Sequence, residues 1–84
     1  MIITEDLINS ILREIDVLYS EGNIKADEAD DLTNSVTWLI GKSLNESNIS
    51  FTINTLRGYK KYMNENSVTK IINSIRKTLG SAMQ

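Results

Sequence analysis

The chain has 84 residues, of which 40% are hydrophobic and 24% are charged, and its formal net charge is −2. This length supports one small domain, and the hydrophobic fraction is too high for a disordered chain. The absence of histidine and cysteine excludes disulfides, thiol nucleophiles, histidine bases and zinc sites built from these side chains. Stability must therefore come from packing, within the chain or against a second chain.

The sequence has no pattern typical of a membrane span or a secretory signal. No apolar run is longer than three residues, whereas about 18 are needed to span a bilayer. The first residues lead into Glu5 and Asp6 and lack the basic region of a signal peptide. Because extracellular domains of this size are usually cross-linked by disulfides, we expect a cytoplasmic protein with no membrane insertion.

The absence of proline favours a chain that is helical nearly from end to end, because proline breaks helix interiors. The first predicted helix covers residues 4–21. Thr4 is a good N-cap residue, and Glu5 and Asp6 place negative charge in the first turn. The apolar positions follow helical spacing, and they are Leu7, Ile8, Ile11, Leu12, Ile15, Leu18 and Tyr19.

A corner follows the first helix at Gly22, because glycine adopts the left-handed C′ conformation without steric cost. The second predicted helix covers residues 27–43, with Asp27 as its N-cap. Trp38 lies at the edge of its apolar stripe. The β-branched residues of this segment lower its helix propensity, so we expect tertiary packing to stabilise it. The stripe consists of Ala29, Leu32, Val36, Leu39 and Ile40.

The third predicted helix covers residues 49–63. Its apolar spacing is interrupted by Phe51 and Gly58. Residues 49–53 also alternate between apolar and polar side chains, as a strand does. A short extended segment therefore stays open as an alternative to the start of this helix.

The fourth predicted helix covers residues 67–79, with Ser67 as N-cap and Gly80 as the residue that ends it. Its apolar stripe is Val68, Ile71, Ile72, Ile75 and Leu79. Four amphipathic helices joined by short turns predict an all-α fold, a compact antiparallel bundle that forms one domain over residues 1–84. Because the core of so short a chain is thin, we expect self-association, for example as a homodimer.

Charge is distributed unevenly along the chain. Residues 1–50 contain ten acidic and three basic side chains, whereas residues 51–84 contain six basic side chains and a single acidic one, Glu65. Three interpretations follow. In the first, the acidic and basic helices face each other within a bundle or across a dimer. In the second, one half attracts an oppositely charged protein. In the third, the basic half binds nucleic acid.

The candidate partner-binding residues are of two kinds. A tryptophan at the edge of a stripe is a natural hot spot of a protein interface. Where basic side chains alternate with tyrosines, the basic groups reach phosphates and the tyrosine rings stack on bases. This segment nevertheless lacks the usual glycine of a helix-turn-helix turn. These candidates are Trp38, Arg57, Tyr59, Lys60, Lys61 and Tyr62.

No combination of residues predicts catalysis, a cofactor or a metal. The cluster Asp27, Glu28, Asp30 and Asp31 lacks the spacing of a calcium loop, and acidic residues at a helix start complement the helix dipole. No helical segment combines a nucleophile with a base. We therefore expect no enzymatic activity, no cofactor and no metal site.

The preferred hypothesis is a small regulatory or inhibitory protein that binds another protein through its helix surfaces. Its small size and its composition resemble those of accessory proteins of phages and other mobile elements, and of the helical immunity proteins that neutralise bacteriocins. The alternative is a dimeric DNA-binding regulator that uses the basic third and fourth helices. A purely structural oligomerisation module is a third possibility.

Overall fold

The computed structural model describes all residues from 1 to 84 and contains four helices: α1 (Glu5–Ser20), α2 (Ala26–Thr37), α3 (Glu46–Tyr59) and α4 (Glu65–Ala82). These helices account for 71% of the chain and form a four-helix bundle without strands, which confirms the predicted fold class. Helix α1 packs against α2 and α4, and α3 packs against α4 and less extensively against α2. Each helix therefore contacts its two neighbours in a ring. None of the four is long and apolar enough to cross a membrane.

The core is built from aliphatic side chains and one methionine, without any aromatic ring. The predicted stripes of α1 and α4 supply half of the buried hydrophobic residues, because residues spaced by three and four lie on one helix face. Tyr19 is an exception, since this last member of the α1 stripe is half exposed. A hydrogen bond from the Ser74 hydroxyl to the Glu14 carboxylate also connects α4 to α1. The buried stripe residues are Ile8, Ile11, Ile15, Leu18, Val68, Ile71, Ile72, Ile75 and Leu79.

The corner between α1 and α2 contains Gly22 in the left-handed conformation, with φ of 76°, as predicted. The N-cap of α2 is Lys25 and not Asp27, so the helix begins earlier than predicted. The Lys25 backbone N–H donates to the Glu28 carboxylate at 2.8 Å. This bond satisfies a backbone donor at the helix start and places the cap two residues before Asp27.

Helix α2 ends at Thr37, so the prediction of a helix up to residue 43 is wrong. Gly41 adopts a left-handed conformation, with φ of 85°, which no helix continues through. The backbone here pairs with the N-terminal segment instead. Ile3 donates to the Lys42 carbonyl and accepts from the Gly41 N–H, both at 2.8 Å. Residues 38–43 are therefore not helical: residues 38–41 form turns, and Ser43 forms a β-bridge with Ile2.

Helix α3 begins at Glu46 and ends at Tyr59, earlier at both ends than the predicted range 49–63. Asn45 is its N-cap, with a side-chain oxygen that accepts from the Asn48 N–H at 2.9 Å. This cap extends the helix backwards over the segment that alternates in sequence. Residues 49–53 are helical, which excludes the extended alternative.

Helix α4 is longer than the predicted range 67–79. Its N-cap is Asn64 and not Ser67, because the Asn64 side chain accepts from the Ser67 N–H at 3.1 Å. Ser67 itself is buried. Gly80 does not end the helix, which continues to Ala82. Glycine permits a helix end without requiring one, and the positive φ that a glycine C-cap shows is absent at Gly80.

Candidate functional site

All five aromatic side chains lie outside the core, and four of them lie along the side of the bundle formed by α2 and α3. We call these four, Trp38, Phe51, Tyr59 and Tyr62, the aromatic face. Phe51 and Tyr59 are on one side of α3 because residues four and eight positions apart align along a helix. The fifth aromatic residue, Tyr19, is exposed on α1.

Trp38 and Phe51 form one end of the aromatic face. Their ring centroids are 4.7 Å apart with an interplanar angle of 36°. Trp38 is 38% exposed and Phe51 is 57% exposed. The Lys42 ammonium lies 4.8 Å from the Trp38 ring centroid, within range of a cation–π interaction. Two large apolar rings are thus held together at the surface, with a cation beside them.

A groove between α2 and α3 opens beside this ring pair. Its volume is about 290 Å³, near the lower limit of ligand pockets, which is about 300 Å³. Rings line one part of the groove and hydroxyl-bearing or amide side chains the other. A groove of this size and chemistry admits an apolar side chain of a partner and offers it polar neighbours. The lining residues are Asn34, Ser35, Trp38, Phe51, Thr52 and Thr55.

Thr52 is the unusual member of the groove lining. It is 1% exposed, and its hydroxyl oxygen has no hydrogen-bond partner. Leaving a buried polar group unpaired costs about 1–3 kcal/mol. The structure thus contains an unsatisfied hydroxyl group next to the two exposed rings.

Tyr59 connects the middle of α2 to the end of α3. Its hydroxyl lies 2.9 Å from the Ser35 hydroxyl, and its ring meets that of Tyr62 edge-on, with centroids 5.7 Å apart. The pKa of Tyr62 is raised, mainly by partial desolvation. The negative charge of an ionised Tyr59 and the charges of Asp31 and Glu28 raise it further. This end of the aromatic face is therefore acidic on its α2 side.

The structure brings together some of the predicted partner-binding residues and separates others. Trp38, Tyr59 and Tyr62 all lie on the aromatic face. Lys60 and Lys61 follow α3 directly, next to Tyr62, and Lys61 is exposed. Arg57 lies elsewhere, in a separate cleft between α3 and α4.

Two residues of this surface, Phe51 and Thr52, are not among the predicted partner-binding residues, although the sequence marks Phe51 as an anchor of either the core or an interface. A signal for Phe51 was present, because a large aromatic residue that interrupts an amphipathic stripe points away from the core. Thr52 had no such signal. Whether a threonine hydroxyl in a helix finds a partner depends on the neighbouring helix and not on its own segment.

The uneven charge of the two halves is not used in ion pairs within the chain. The only side-chain hydrogen bond donated by a basic side chain runs from Arg57 Nη1 to the Asn54 side-chain oxygen, at 3.2 Å. No lysine or arginine side chain donates to a carboxylate. The structure thus gives no support to pairing of the two halves inside one bundle, and both sets of charges remain available at the surface.

The acidic residues at the start of α2 do not form a group of three or more that could hold a metal ion, and no other such group occurs in the structure. In comparisons with protein-family models, curated proteins and solved structures, nothing matches this chain. Its function must therefore be inferred from the geometry and chemistry of its own surface.

Proposed function

We propose that this protein is a small non-enzymatic module that binds a partner protein through the aromatic face and thereby regulates or inhibits it. The observation that supports the proposal is the placement of the aromatic residues. The core is entirely non-aromatic, while four of the five aromatic side chains lie along the α2–α3 side. Tryptophan and tyrosine are the residues most enriched at interface hot spots, and burying exposed rings gives binding energy at low entropic cost.

The partner segment that fits this face best is an amphipathic helix. Phe51 and Tyr59 are eight residues apart on α3 and hence about 12 Å apart along its axis, which matches two turns of a partner helix lying in the groove. One apolar side chain would enter the groove beside Trp38. The Thr52 hydroxyl would gain a polar neighbour if the groove widened on binding.

The charges at the two ends of the aromatic face set the direction of the partner helix. Lys42 lies beside Trp38 at one end, and Glu28 and Asp31 lie near Tyr62 at the other. A partner helix with an acidic residue at the first end and a basic residue at the second is electrostatically complementary. A second copy of this chain is the other possible occupant, through a self-associated form. By its small size and composition, which resemble those of accessory proteins of mobile elements and of bacteriocin-immunity proteins, we propose a role of that type in the cytoplasm.

The test is affinity capture from a lysate of the source organism, after nuclease treatment, with quantification of the retained proteins by mass spectrometry. The bait is compared with a Trp38→Ala/Phe51→Ala variant and with Tyr19→Ala, which removes an exposed ring outside the aromatic face. We expect one protein to be retained by the wild type and by Tyr19→Ala and lost from the double variant. Equal retention by all three baits would contradict the proposal.

A second candidate function is binding of duplex DNA by the basic half. It is favoured by the six basic side chains of residues 51–84, none of which donates a hydrogen bond to a carboxylate. Its test is binding to duplex DNA over a range of salt concentrations, because phosphate contacts make affinity fall steeply with salt. Lys60→Glu/Lys61→Glu should abolish that binding, whereas Arg13→Glu/Lys25→Glu, the same charge change in the acidic half, should not.

A further inference from the structure

A second cleft lies on the opposite side of α3 from the groove, between α3 and α4. Its volume is about 230 Å³, below the range of about 300–1,000 Å³ that is typical for drug-sized ligands. Side chains from both helices line it, including Arg57 of α3 and Arg76 of α4. Two arginines from different helices, both exposed to solvent, thus line one small space.

The balance of charge in this cleft is positive. Arg57 donates a hydrogen bond to the neutral Asn54 side chain at 3.2 Å, and Arg76 donates none to any side chain. The one carboxylate in the lining, Glu46, accepts a hydrogen bond from the Ser50 hydroxyl at 3.4 Å and none from either arginine. Two like charges that share a cleft repel each other, and an anion between them would remove that repulsion.

Gly80 keeps the α4 side of the cleft open. It lies inside the last turns of α4, where glycine lowers helix stability by about 0.5–1 kcal/mol relative to alanine. Packing does not require it, because a Cβ atom at this position would meet no heavy atom within 4 Å. Its effect is instead on the cleft, since Gly80 is part of the lining and adds no side chain to it.

We propose that the α3–α4 cleft binds a small oxyanion, such as a phosphate ion or the carboxylate group of a small acid. Arg57 and Arg76 supply planar pairs of N–H donors, which match the oxygen spacing of phosphate and carboxylate groups. Asn54 accepts from Arg57 with its side-chain oxygen and keeps its N–H donors for the anion. This site is independent of the aromatic face and of any partner protein bound there.

The test is a titration of the isotope-labelled protein, followed by nuclear magnetic resonance at constant ionic strength with chloride as the replaced ion. Inorganic phosphate is used in one arm and acetate in another. We expect saturable shifts of the Arg57 and Arg76 side-chain N–H signals and of the Gly80 amide. If only phosphate saturates the shifts, the cleft is a phosphate site. If only acetate does, it is a carboxylate site, and if both do, it is a general oxyanion site.

Three variants separate the cleft from the general surface charge. Arg76→Gln should weaken binding by about tenfold or more, because a charge-assisted hydrogen bond is lost. Gly80→Leu should abolish binding, because the leucine side chain fills the cleft. Since leucine favours a helix more than glycine does, the melting temperature of this variant should be at or above that of the wild type. Arg13→Gln removes an arginine of α1 and should leave binding unchanged. Shifts that never saturate, or that are the same in all three variants, would overturn the proposal.

Discussion

The α1–α4 pair and the α2–α3 pair are built differently. Helices α1 and α4, the two longest, pack along rows of buried isoleucine and leucine side chains. Helices α2 and α3 contact each other less extensively, and the groove between them is lined with rings and hydroxyl groups. The α1–α4 pair thus buries more apolar side chains than the α2–α3 pair does, and the α2–α3 pair carries the exposed rings and the groove.

The largest expected effect is a difference in free energy of unfolding between two truncations. Ile75→Ala in α4 should cost about 2–5 kcal/mol, because it removes a fully buried side chain and leaves a cavity. Phe51→Ala in α3 should cost about 1 kcal/mol or less, because Phe51 is 57% exposed and contributes mainly its contact with Trp38. Urea unfolding of both variants measures this. Similar losses would mean that the α2–α3 side is part of the core.

Thr52→Val should raise the free energy of unfolding by about 1–2 kcal/mol, because it replaces an unpaired buried hydroxyl with a methyl group of the same shape. Thr55→Val is the matched control. The Thr55 hydroxyl donates to the Phe51 carbonyl at 3.0 Å, so its replacement should bring no gain. The same urea experiment compares the two. If Thr52→Val is destabilising, the Thr52 hydroxyl has a hydrogen-bond partner in solution, and the groove contains no unpaired buried hydroxyl.

Tyr59→Phe should lower the free energy of unfolding by about 0.5–1 kcal/mol, because it removes the hydroxyl contact with Ser35 across the α2–α3 interface. Tyr62→Phe removes a hydroxyl from an exposed ring and should have almost no effect. Thermal unfolding at neutral pH detects the difference. An equal response of the two variants would show that the Ser35–Tyr59 contact does not hold α2 and α3 together.

The smallest expected effect is a pH dependence at the acidic end of the aromatic face. Because the pKa of Tyr62 is raised by desolvation and by nearby negative charge, the folded state retains this proton longer than the unfolded chain does. The associated stability is fully present below the ordinary tyrosine pKa and is lost as the pH rises through the raised value. In an ultraviolet titration of the folded protein, Tyr62→Phe should remove a tyrosine ionisation that lies above the ordinary tyrosine range, and Tyr19→Phe should not.

The helices themselves were largely predictable from the sequence, and their ends were less so. The α4 stripe is buried as predicted, and so is the α1 stripe except for Tyr19 and the partly buried Leu7 and Leu12, because helical spacing collects apolar side chains on one face. The end of α2 was not predictable from its own residues. It depends on the left-handed Gly41 and on backbone hydrogen bonds from Ile3, a residue far away in sequence.

The all-α bundle follows from properties that each segment has alone: helical spacing, the absence of proline and the turn at Gly22. The two candidate binding surfaces depend on contacts between segments. Trp38 meets Phe51 only where α2 lies against α3, and Arg57 shares a cleft with Arg76 only where α3 lies against α4. Local spacing determines which way a side chain points, but only the packing of helices determines what it meets.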